Sequence, residues 1–338
     1  MRKLYLPVDL RLFDANVQTT LLNASGNDLS PEMKTYYEDR LIDHAEPNLV
    51  HDQFGDKYPI PQHGGKTIEF RKYSPLDKAL TALTEGVTPS GNKLDVTTIE
   101  ATVDQYGDYI TISDVLELTA IDRNLEQATK LLGSQAGRTL DTITREVITA
   151  GTNVLYAPKA DGTEVLTRAA IAADCLLTVD LIFKAAAKLR EMNAVPIDDS
   201  FVAIVHPNVA CDLMLSDKWV DVHKYAAPEN IYRGEIGQLG GVRFVQTTEA
   251  KIIGGAGAEG GSVYCTMLIA ANAYGVTDVA GGGLQHIVKQ LGSAGASDPL
   301  NQRASTGWKA LKTAERLVEE YMVRIEHACA TNPKAASN

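Results

Sequence analysis

A glycine run at 255–260 has the residue types and the spacing of a cofactor-binding motif. Gly255-Ala256-Gly257-Ala258-Glu259-Gly260 has the spacing G-x-G-x-x-G. That spacing binds pyrophosphate when a helix follows it, because amides at the helix N-terminus then face the phosphates. The residues that follow, Ser262–Ile269, are β-branched, aromatic and apolar and predict a strand. We therefore interpret the run as a tight hairpin rather than a nucleotide site.

The histidines and carboxylates also lack the spacing that catalysis or metal binding requires. No HxH or HxxxH pair occurs among the histidines, which are His44, His51, His63, His206, His223, His286 and His327. Asp198-Asp199 and Glu319-Glu320 are adjacent in sequence, so each pair cannot converge on one substrate atom. No G-x-S-x-G nucleophile motif is present. The sequence thus predicts no catalytic, cofactor-binding or metal site, and no enzyme.

Charge and cysteine usage exclude further classes. The net charge is −11 and the chain has no basic tail, which argues against a protein that binds by neutralising phosphates. No segment approaches 18 uninterrupted apolar residues, so we expect no membrane span. The four cysteines, Cys175, Cys211, Cys265 and Cys329, form no CxxC pair and are expected to be free thiols in a reducing compartment.

The longest regular element predicted is a helix over Asp122–Gly151. Apolar residues recur there with steps of three and four, at Leu125, Ala128, Leu132, Ala136, Leu140, Ile143, Val147 and Ala150. Such a helix is roughly 40 Å long. Gly133 and Gly137 lie one turn apart beside this stripe, each at a cost of ~1 kcal/mol relative to alanine. The expected reason for that cost is another backbone that crosses closely.

A long two-stranded ribbon precedes this helix. The strands are predicted at Gly64–Tyr73 and Leu94–Ile112, with a bulge at Gly107 and a tip at Ser74–Lys93. Leu76, Leu80 and Leu83 could form one helical turn in the tip. A ribbon of this length is marginal alone, because it lacks a third strand or a helix to cover it. It must fold back on its own chain or lie on a neighbouring subunit.

The remaining segments predict a mixed α+β protein. Residues 1–57 read as an extended arm with one short helix at Pro31–His44. A second amphipathic helix is expected at Thr178–Asn193, capped by Thr178. Strands are expected at Phe201–Val205, Gly241–Ile253, Ser262–Val276, Trp308–Ala314 and Met322–His327. An arm and a protruding ribbon both require partners, which indicates an assembly protein.

With this order of elements, the sequence resembles a major capsid protein of tailed bacteriophages with the Hong Kong 97-type fold. It is most similar to the N-four-type branch. The likeness covers nearly the whole chain and rests on AEPNLVHDQFG (45–55), FRKYSPL and LTEGVTP (70–89), QYGDYITISDVLEL (105–118), IYRGEIGQLGGVRFVQTTEA (231–250) and DPLNQRASTGWK (298–309).

The resemblance implies a domain organisation. The parts are an N-terminal arm (1–57), an E-loop hairpin (58–112), a peripheral domain (113–200 and 304–330) with its spine helix (122–151), and an axial domain (201–303). Residues 331–338 are expected to be a loose tail. The resemblance brings no catalytic residues, since the function it implies is mechanical.

The implied function is self-assembly into the icosahedral shell around phage DNA, in a virion assembled in the host cytoplasm. Partners are then copies of the chain in hexamers and pentamers, together with separate scaffolding, portal and decoration proteins. DNA is enclosed without sequence-specific binding, because an acidic wall lets it slide. Arg71, Lys72 and Glu85 are candidate contacts with the adjacent subunit; the alternative is that they are simply solvated.

Two alternatives remain open at this point. An encapsulin-like nanocompartment shell protein would share the fold and enclose an enzyme instead of DNA. A soluble α/β enzyme with an arm-exchanged oligomer would need a pocket with convergent titratable groups, and the sequence offers none.

Overall fold

Two β-sheets, a separate ribbon and one long helix make up the fold. The computed structural model describes residues 50–83, 85–88, 90–119, 124–216, 218–220, 237–277, 279, 282–290 and 300–338. The arm up to residue 49, the helix predicted at Pro31–His44 and the possible cap Asp122 lie outside these residues.

The elements agree in type with the α+β prediction. The helices are α1 (Asp114–Thr119), α2 (Asn124–Thr149), α3 (Val179–Glu191) and α4 (Pro207–Met214). The strands before α2 are β1 (Asp56–Lys57), β2 (Thr67–Tyr73), β3 (Val96–Thr102) and β4 (Asp104–Ser113). Those after α2 are β5 (Val154–Tyr156), β6 (Phe201–Val205), β7 (Gln238–Leu239), β8 (Val242–Gln246), β9 (Ile252–Ile253), β10 (Val263–Ile269), β11 (Tyr274–Thr277), β12 (Gln285–Lys289), β13 (Arg303–Arg316) and β14 (Met322–His327).

The first sheet has five strands and is built around the long strand β13. β4, β11 and β12 each pair with β13 antiparallel, and β1 joins the edge beside β11. The first half of α2 packs on this sheet, where Leu132 and Ala136 contact Trp308 and Ala310 in one buried cluster. The predicted long helix is therefore confirmed.

The inward face of α2 changes halfway along the helix. Ala128, Leu132 and Ala136 are buried as the apolar stripe predicts. Beyond Leu140 the buried residues are Asp141, Thr144, Arg145, Ile148 and Thr149. Ile143, Val147 and Ala150 belong to the same apolar stripe but lie outside the core, because the first two are only half-buried and Ala150 is exposed. In the second half of the helix, polar partners from elsewhere in the chain determine which face is buried.

The ribbon is shorter than predicted. β2 and β3 pair antiparallel, and the chain then breaks at the buried Val103, so that β4 leaves the ribbon for the five-stranded sheet. Gly107 is not a bulge, since β4 pairs with β13 one residue to one throughout. A Cβ at Gly107 would lie 2.6 Å from the Trp308 carbonyl oxygen, so a close backbone approach explains this glycine.

Two glycines offer a matched pair of stability predictions. A Cβ at Gly307 on β13 would lie 2.7 Å from Tyr109 Cβ and 2.9 Å from the Asp108 carbonyl oxygen. A Cβ at Gly133 on α2 would meet nothing within 4 Å, so the backbone crossing predicted there is absent from the described residues. We expect Gly307→Ala to destabilise the purified chain by about 1–3 kcal/mol, because the sheet must open. Gly133→Ala should stabilise it by up to ~1 kcal/mol in the same urea titration.

The second sheet has seven strands in the order β5-β14-β10-β6-β8-β7, with β9 on β10. β6 and β10 are buried at every residue, as expected for strands covered on both faces. α3 packs on this sheet with Ile182, Ala186 and Leu189 in the main core. Thr178 caps α3 by accepting a hydrogen bond from the Leu181 amide, as predicted.

This topology differs from the predicted division between peripheral and axial domains. β14 was assigned to the peripheral domain, yet it pairs with β10 in the seven-stranded sheet, and α3 shares that core. β11 and β12 were assigned to the axial domain, yet both pair with β13 in the five-stranded sheet. Strand pairing between segments far apart in sequence decides the layers, and sequence order does not reveal it.

The expectation of a loose tail is also wrong. Residues 332–338 make backbone and side-chain hydrogen bonds to the β9–β10 hairpin, such as Ser262 N–H to the Pro333 carbonyl at 2.9 Å. The side chain of Asn338 receives a hydrogen bond from the Ile252 amide at 2.9 Å. The tail holds no large apolar residue, so hydrogen bonds rather than burial fix it.

A fully buried histidine ends β14. His327 Nδ1 donates to the Ala328 carbonyl at 2.8 Å, and Nε2 lies 2.9 Å from Thr266 Oγ1. Burial lowers the pKa of His327 from 6.5 to about 4, although the carboxylates of Asp212 and Glu326 oppose the shift. The imidazole is therefore neutral in the folded protein at neutral pH.

Because of this histidine, we expect the free energy of unfolding to fall at acid pH. Its folded pKa lies below its unfolded value, so its contribution to stability is present above about pH 6.5 and is lost as the pH falls towards about 4. The loss is at most ~1.4 kcal/mol per pH unit. We expect His327→Gln to be less stable than the parent at pH 7, with the difference shrinking towards pH 4 in thermal melts. A difference that stays constant over this range would contradict the assignment.

Candidate assembly surfaces

The residues singled out for chemistry serve structural roles where they are described. The glycine run 255–260 connects β9 to β10, which pair antiparallel, so the hairpin interpretation is confirmed. His206 caps α4, its Nδ1 accepting from the Asn208 amide at 3.2 Å, and burial lowers its pKa. Within the described ranges, no group of three or more His, Cys, Asp or Glu could hold a metal ion. None of the described helices is both long and apolar enough to cross a bilayer.

All four cysteines are described and carry free thiols. Cys175, Cys265 and Cys329 are buried, and Cys211 is half-buried. Burial raises the pKa of Cys265 to about 12 and that of Cys329 to about 11. These thiols are therefore protonated and poorly nucleophilic at neutral pH.

A buried polar cluster joins the start of the described chain to α2 and β13. The His51 N–H donates to Asp141 Oδ1 at 2.9 Å, and His51 Nδ1 lies 2.6 Å from Asp141 Oδ2. Asp52 accepts from Thr144 Oγ1 at 2.5 Å and pairs with Lys312 Nζ. His51, Asp141 and Lys312 are all buried. The cluster thus attaches residues 51 and 52 to α2 and to β13.

Two arginines close the C-terminal end of α2, which has no basic residue in its own last turn. Arg316 Nη1 donates to the Val147 carbonyl at 3.1 Å, and Arg324 Nη1 donates to the Thr149 and Gly151 carbonyls. Cations are favourable there because the last carbonyls of a helix are unpaired and carry partial negative charge. Since Arg316 belongs to β13 and Arg324 to β14, the helix end is attached to both sheets.

The ribbon contacts the rest of the described chain along one face of β2 and β3, on which Ala101 is buried and Phe70 half-buried. Phe70 of β2 packs edge-to-face on Tyr58, with 5.1 Å between ring centroids. Lys72 Nζ lies 3.3 Å from Glu320 Oε2. The other face of the β2–β3 pair and the tip beyond it are exposed.

The three interface candidates therefore have different surroundings. The Arg71 side chain is 66 % exposed and pairs with Glu69 on the same strand at 3.1 Å. Lys72 already forms an ion pair within the chain, with Glu320. Glu85 lies exposed in the tip, outside any strand or helix. The structure does not bring the three side chains together at one point.

The more distinctive property of the tip is its exposed apolar surface. Leu80 is 86 % exposed and Leu83 77 %, and the other exposed apolar side chains of the ribbon are Tyr73, Leu76, Val87, Leu94 and Val96. The helical turn predicted for Leu76, Leu80 and Leu83 is wrong, because residues 74–83 contain no helix. A concentration of apolar side chains on one projection marks a protein–protein contact. The leucine spacing in the sequence gives no sign of this exposure, because it equally suits a buried helical turn.

A groove of about 620 Å³ lies along the outer face of α2. Its walls are the outward side chains between Gln135 and Val147, together with Glu249. Ile143 and Val147, which the apolar stripe predicts to be buried, lie in this groove. Within the described part of the chain, this half of the stripe lacks a cover.

Comparison with known proteins gives one family match. The family described as phage capsid protein matches residues 96–321, which is about two thirds of the chain. No curated protein sequence matches the chain.

Solved structures give matches over almost the whole chain. The capsid of the cyanophage P-SCSP1u aligns with a TM-score of 0.69 and 13% identity, covering 93% of this chain and 100% of that one. The capsid of Ralstonia phage GP4 aligns with a TM-score of 0.67 and 13% identity, covering 94% and 99%. The capsid of cyanophage Pam1 aligns with a TM-score of 0.66 and 13% identity, covering 91% and 100%. At such identities the likeness establishes the fold.

Proposed function

Because the chain belongs to the phage capsid protein family, we propose that it builds its shell through the ribbon, which docks on the next copy. The family and the fold establish the rest: it is a major capsid protein with the Hong Kong 97-type fold, and copies of it form the shell. It is a structural protein and not an enzyme. The likeness to the N-four-type branch stays a prediction.

One observation carries the ribbon assignment: Leu80 and Leu83 at the tip are exposed to solvent, and no part of the described chain covers them. Burying one leucine side chain contributes ~1.5–3 kcal/mol, so a projection of several is costly unless another molecule covers it. The groove along α2 is the receiving surface we assign on the next copy, since it holds the uncovered Ile143 and Val147. Each copy makes several contacts of this kind. Each contact is weak alone, but together they make the closed shell stable.

We propose revised domain roles that follow the sheets. The five-stranded sheet with α2 forms the peripheral domain, and the seven-stranded sheet with α3 and α4 forms the axial domain. The ribbon is the E-loop, and residues up to 57 form the N-terminal arm. Hexamers and pentamers assemble around the axial domains.

The acidic balance supports the enclosure of DNA without specific binding. Each copy of the chain has a net charge of −11, so the shell wall repels packaged DNA and the DNA slides along it. Separate scaffolding, portal and decoration proteins and assembly in the host cytoplasm complete this proposal. The family match is to phage capsids, so the nanocompartment and enzyme alternatives are not favoured.

Arg71 and Glu85 remain our candidate charged contacts with the next copy, and Lys72 attaches the ribbon to Glu320. Charge reversal separates these roles. Arg71→Glu and Glu85→Lys should lower the yield of shells without changing the melting temperature of the unassembled chain. Lys72→Glu should lower the melting temperature slightly, because it places a carboxylate beside Glu320.

The experiment that tests the function is negative-stain electron microscopy of the purified chain, alone and with the products of its neighbouring genes. Closed shells of uniform size are the expected result. Small monodisperse oligomers under every condition would contradict a shell built by this chain.

A further inference from the structure

Residues 331–338, which we call the C-terminal strap, lie along the outer edge of β9 and the start of β10. The Tyr264 hydroxyl donates to the Asn332 carbonyl at 2.9 Å, and Ser262 Oγ donates to the Ala335 carbonyl at 2.7 Å. The Gly254 amide donates to Ser337 Oγ at 2.8 Å. Nearly all strap residues are exposed, so these bonds are made at the surface.

The last of these contacts has the pattern of strand pairing. Asn338 Nδ2 donates to the Ala250 carbonyl at 2.7 Å, and its Oδ1 accepts from the Ile252 amide at 2.9 Å. One residue of a parallel strand makes the same two bonds, to the carbonyl before and the amide after the residue opposite. The carboxamide of Asn338 therefore replaces one peptide unit of a neighbouring strand.

The edge that the strap covers is otherwise open. β9 pairs with β10 on its inner side, where the Cys265 amide donates to the Lys251 carbonyl at 3.0 Å. The Ile252 amide points to the opposite side, towards the strap. An uncovered strand edge pairs readily with other chains, and proteins protect such edges.

A buried arginine marks the end of this site. Arg145 of α2 is 2% exposed, and its Nη2 donates to the main-chain oxygen of Asn338 at 2.9 Å. Its Nη1 donates to the Glu249 carbonyl at 3.0 Å, and its Nη2 also pairs with the Glu146 carboxylate at 2.8 Å. Three elements thus converge on residues 332–338 of the strap, namely α2, the turn before β9, and the β9–β10 hairpin.

We propose that the outer edge of β9, from Ala250 to Gly254, is a binding site for an extended chain with an asparagine carboxamide, and that the strap is its exchangeable occupant. The strap of a second copy fits the same site, because the contacts with β9, β10 and Arg145 are all made by residues 332–338. Thr331, which bonds to Asp212 of α4, lies before the exchanged segment. In a lattice, where copies are permanently adjacent, such exchange costs little.

The test uses the full chain and a variant that lacks residues 332–338, followed by amide hydrogen exchange. In the full chain the Ile252 and Gly254 amides should be protected. In the shortened chain they should exchange about tenfold faster or more, while β6 amides are unchanged. A synthetic peptide of residues 331–338 should restore the protection in trans.

A peptide of the same length with Asn338→Ala is the matched control. It lacks both the N–H that donates to the Ala250 carbonyl and the oxygen that accepts from the Ile252 amide, so we expect it to restore little protection. Protection that is unaffected by removal of the strap, or a folded shortened chain that the parent peptide leaves unprotected, would overturn the proposal.

If the shortened chain does not fold, amide exchange of two substituted full-length chains tests the same edge of β9. Asn338→Ala should expose the Ile252 amide to exchange, because alanine removes the oxygen that accepts from it. Asn332→Ala should not, because Asn332 contributes its backbone carbonyl to the Tyr264 contact. Equal exchange at Ile252 in both variants would overturn the role of the carboxamide.

Discussion

Removal of residues 74–93 should abolish shells while leaving a soluble, folded chain. Every described residue between 74 and 93 is exposed, and the ribbon contacts the rest of the chain through β2 and β3, as at Phe70 and Lys72, so the deletion removes no core contact. Leu80→Ser with Leu83→Ser should have a similar effect with less change to the chain. Loss of two buried leucines weakens each contact between copies by roughly a hundredfold or more. Electron microscopy and sedimentation measure the fraction of protein in shells.

The matched control is a leucine equally exposed elsewhere. Leu166 is 79% exposed and lies between β5 and α3, outside the ribbon. Leu166→Ser should assemble like the parent, which separates loss of the tip from a general effect on solubility. Normal shells from the chain without residues 74–93 would rule out the ribbon as the assembly contact.

Replacement of Asp141 by alanine should destabilise the chain by about 3 kcal/mol, because it leaves two buried donors of His51 without an acceptor. The lost bonds are the 2.9 Å and 2.6 Å contacts of the His51 amide and imidazole. Tyr274, which is also buried and donates to the His51 carbonyl, should shift with it. Urea unfolding of the purified, unassembled chain measures the change.

Asp141→Asn is the control for this substitution. An asparagine retains one acceptor oxygen for the His51 amide, so we expect a smaller loss than with alanine. Thr142 lies next to Asp141 on α2 and lines the outer groove, so Thr142→Ala should leave stability nearly unchanged. Equal losses for the two Asp141 variants would show that the cluster does not depend on the acceptor.

The local elements could be predicted from the sequence because their signals are local. The 3.6-residue period marks α2 and α3, and the run Phe201–Val205 marks a strand covered on both faces. The interface surface was only partly predictable. To predict that Leu80 and Leu83 are exposed, one must know that no part of the described chain folds over them, and a local pattern does not give this.

The misplaced predictions share a physical cause, which is pairing between distant segments. The second half of α2 turns Asp141 inward because His51, ninety residues earlier, supplies its hydrogen-bond partner. β14 joins the seven-stranded sheet through β10, which no local pattern indicates. The strap has the composition of a disordered tail, and only the free edge of β9 explains its position.

The state of the thiols bears on how long a particle lasts outside a cell. A virion meets dissolved oxygen and peroxide with no reductant to repair damage, and oxidation begins from the thiolate. Burial keeps Cys265 and Cys329 protonated far above neutral pH, and Cys175 is buried as well. Storage in aerated buffer should therefore leave these three side chains chemically intact for as long as the fold stays closed.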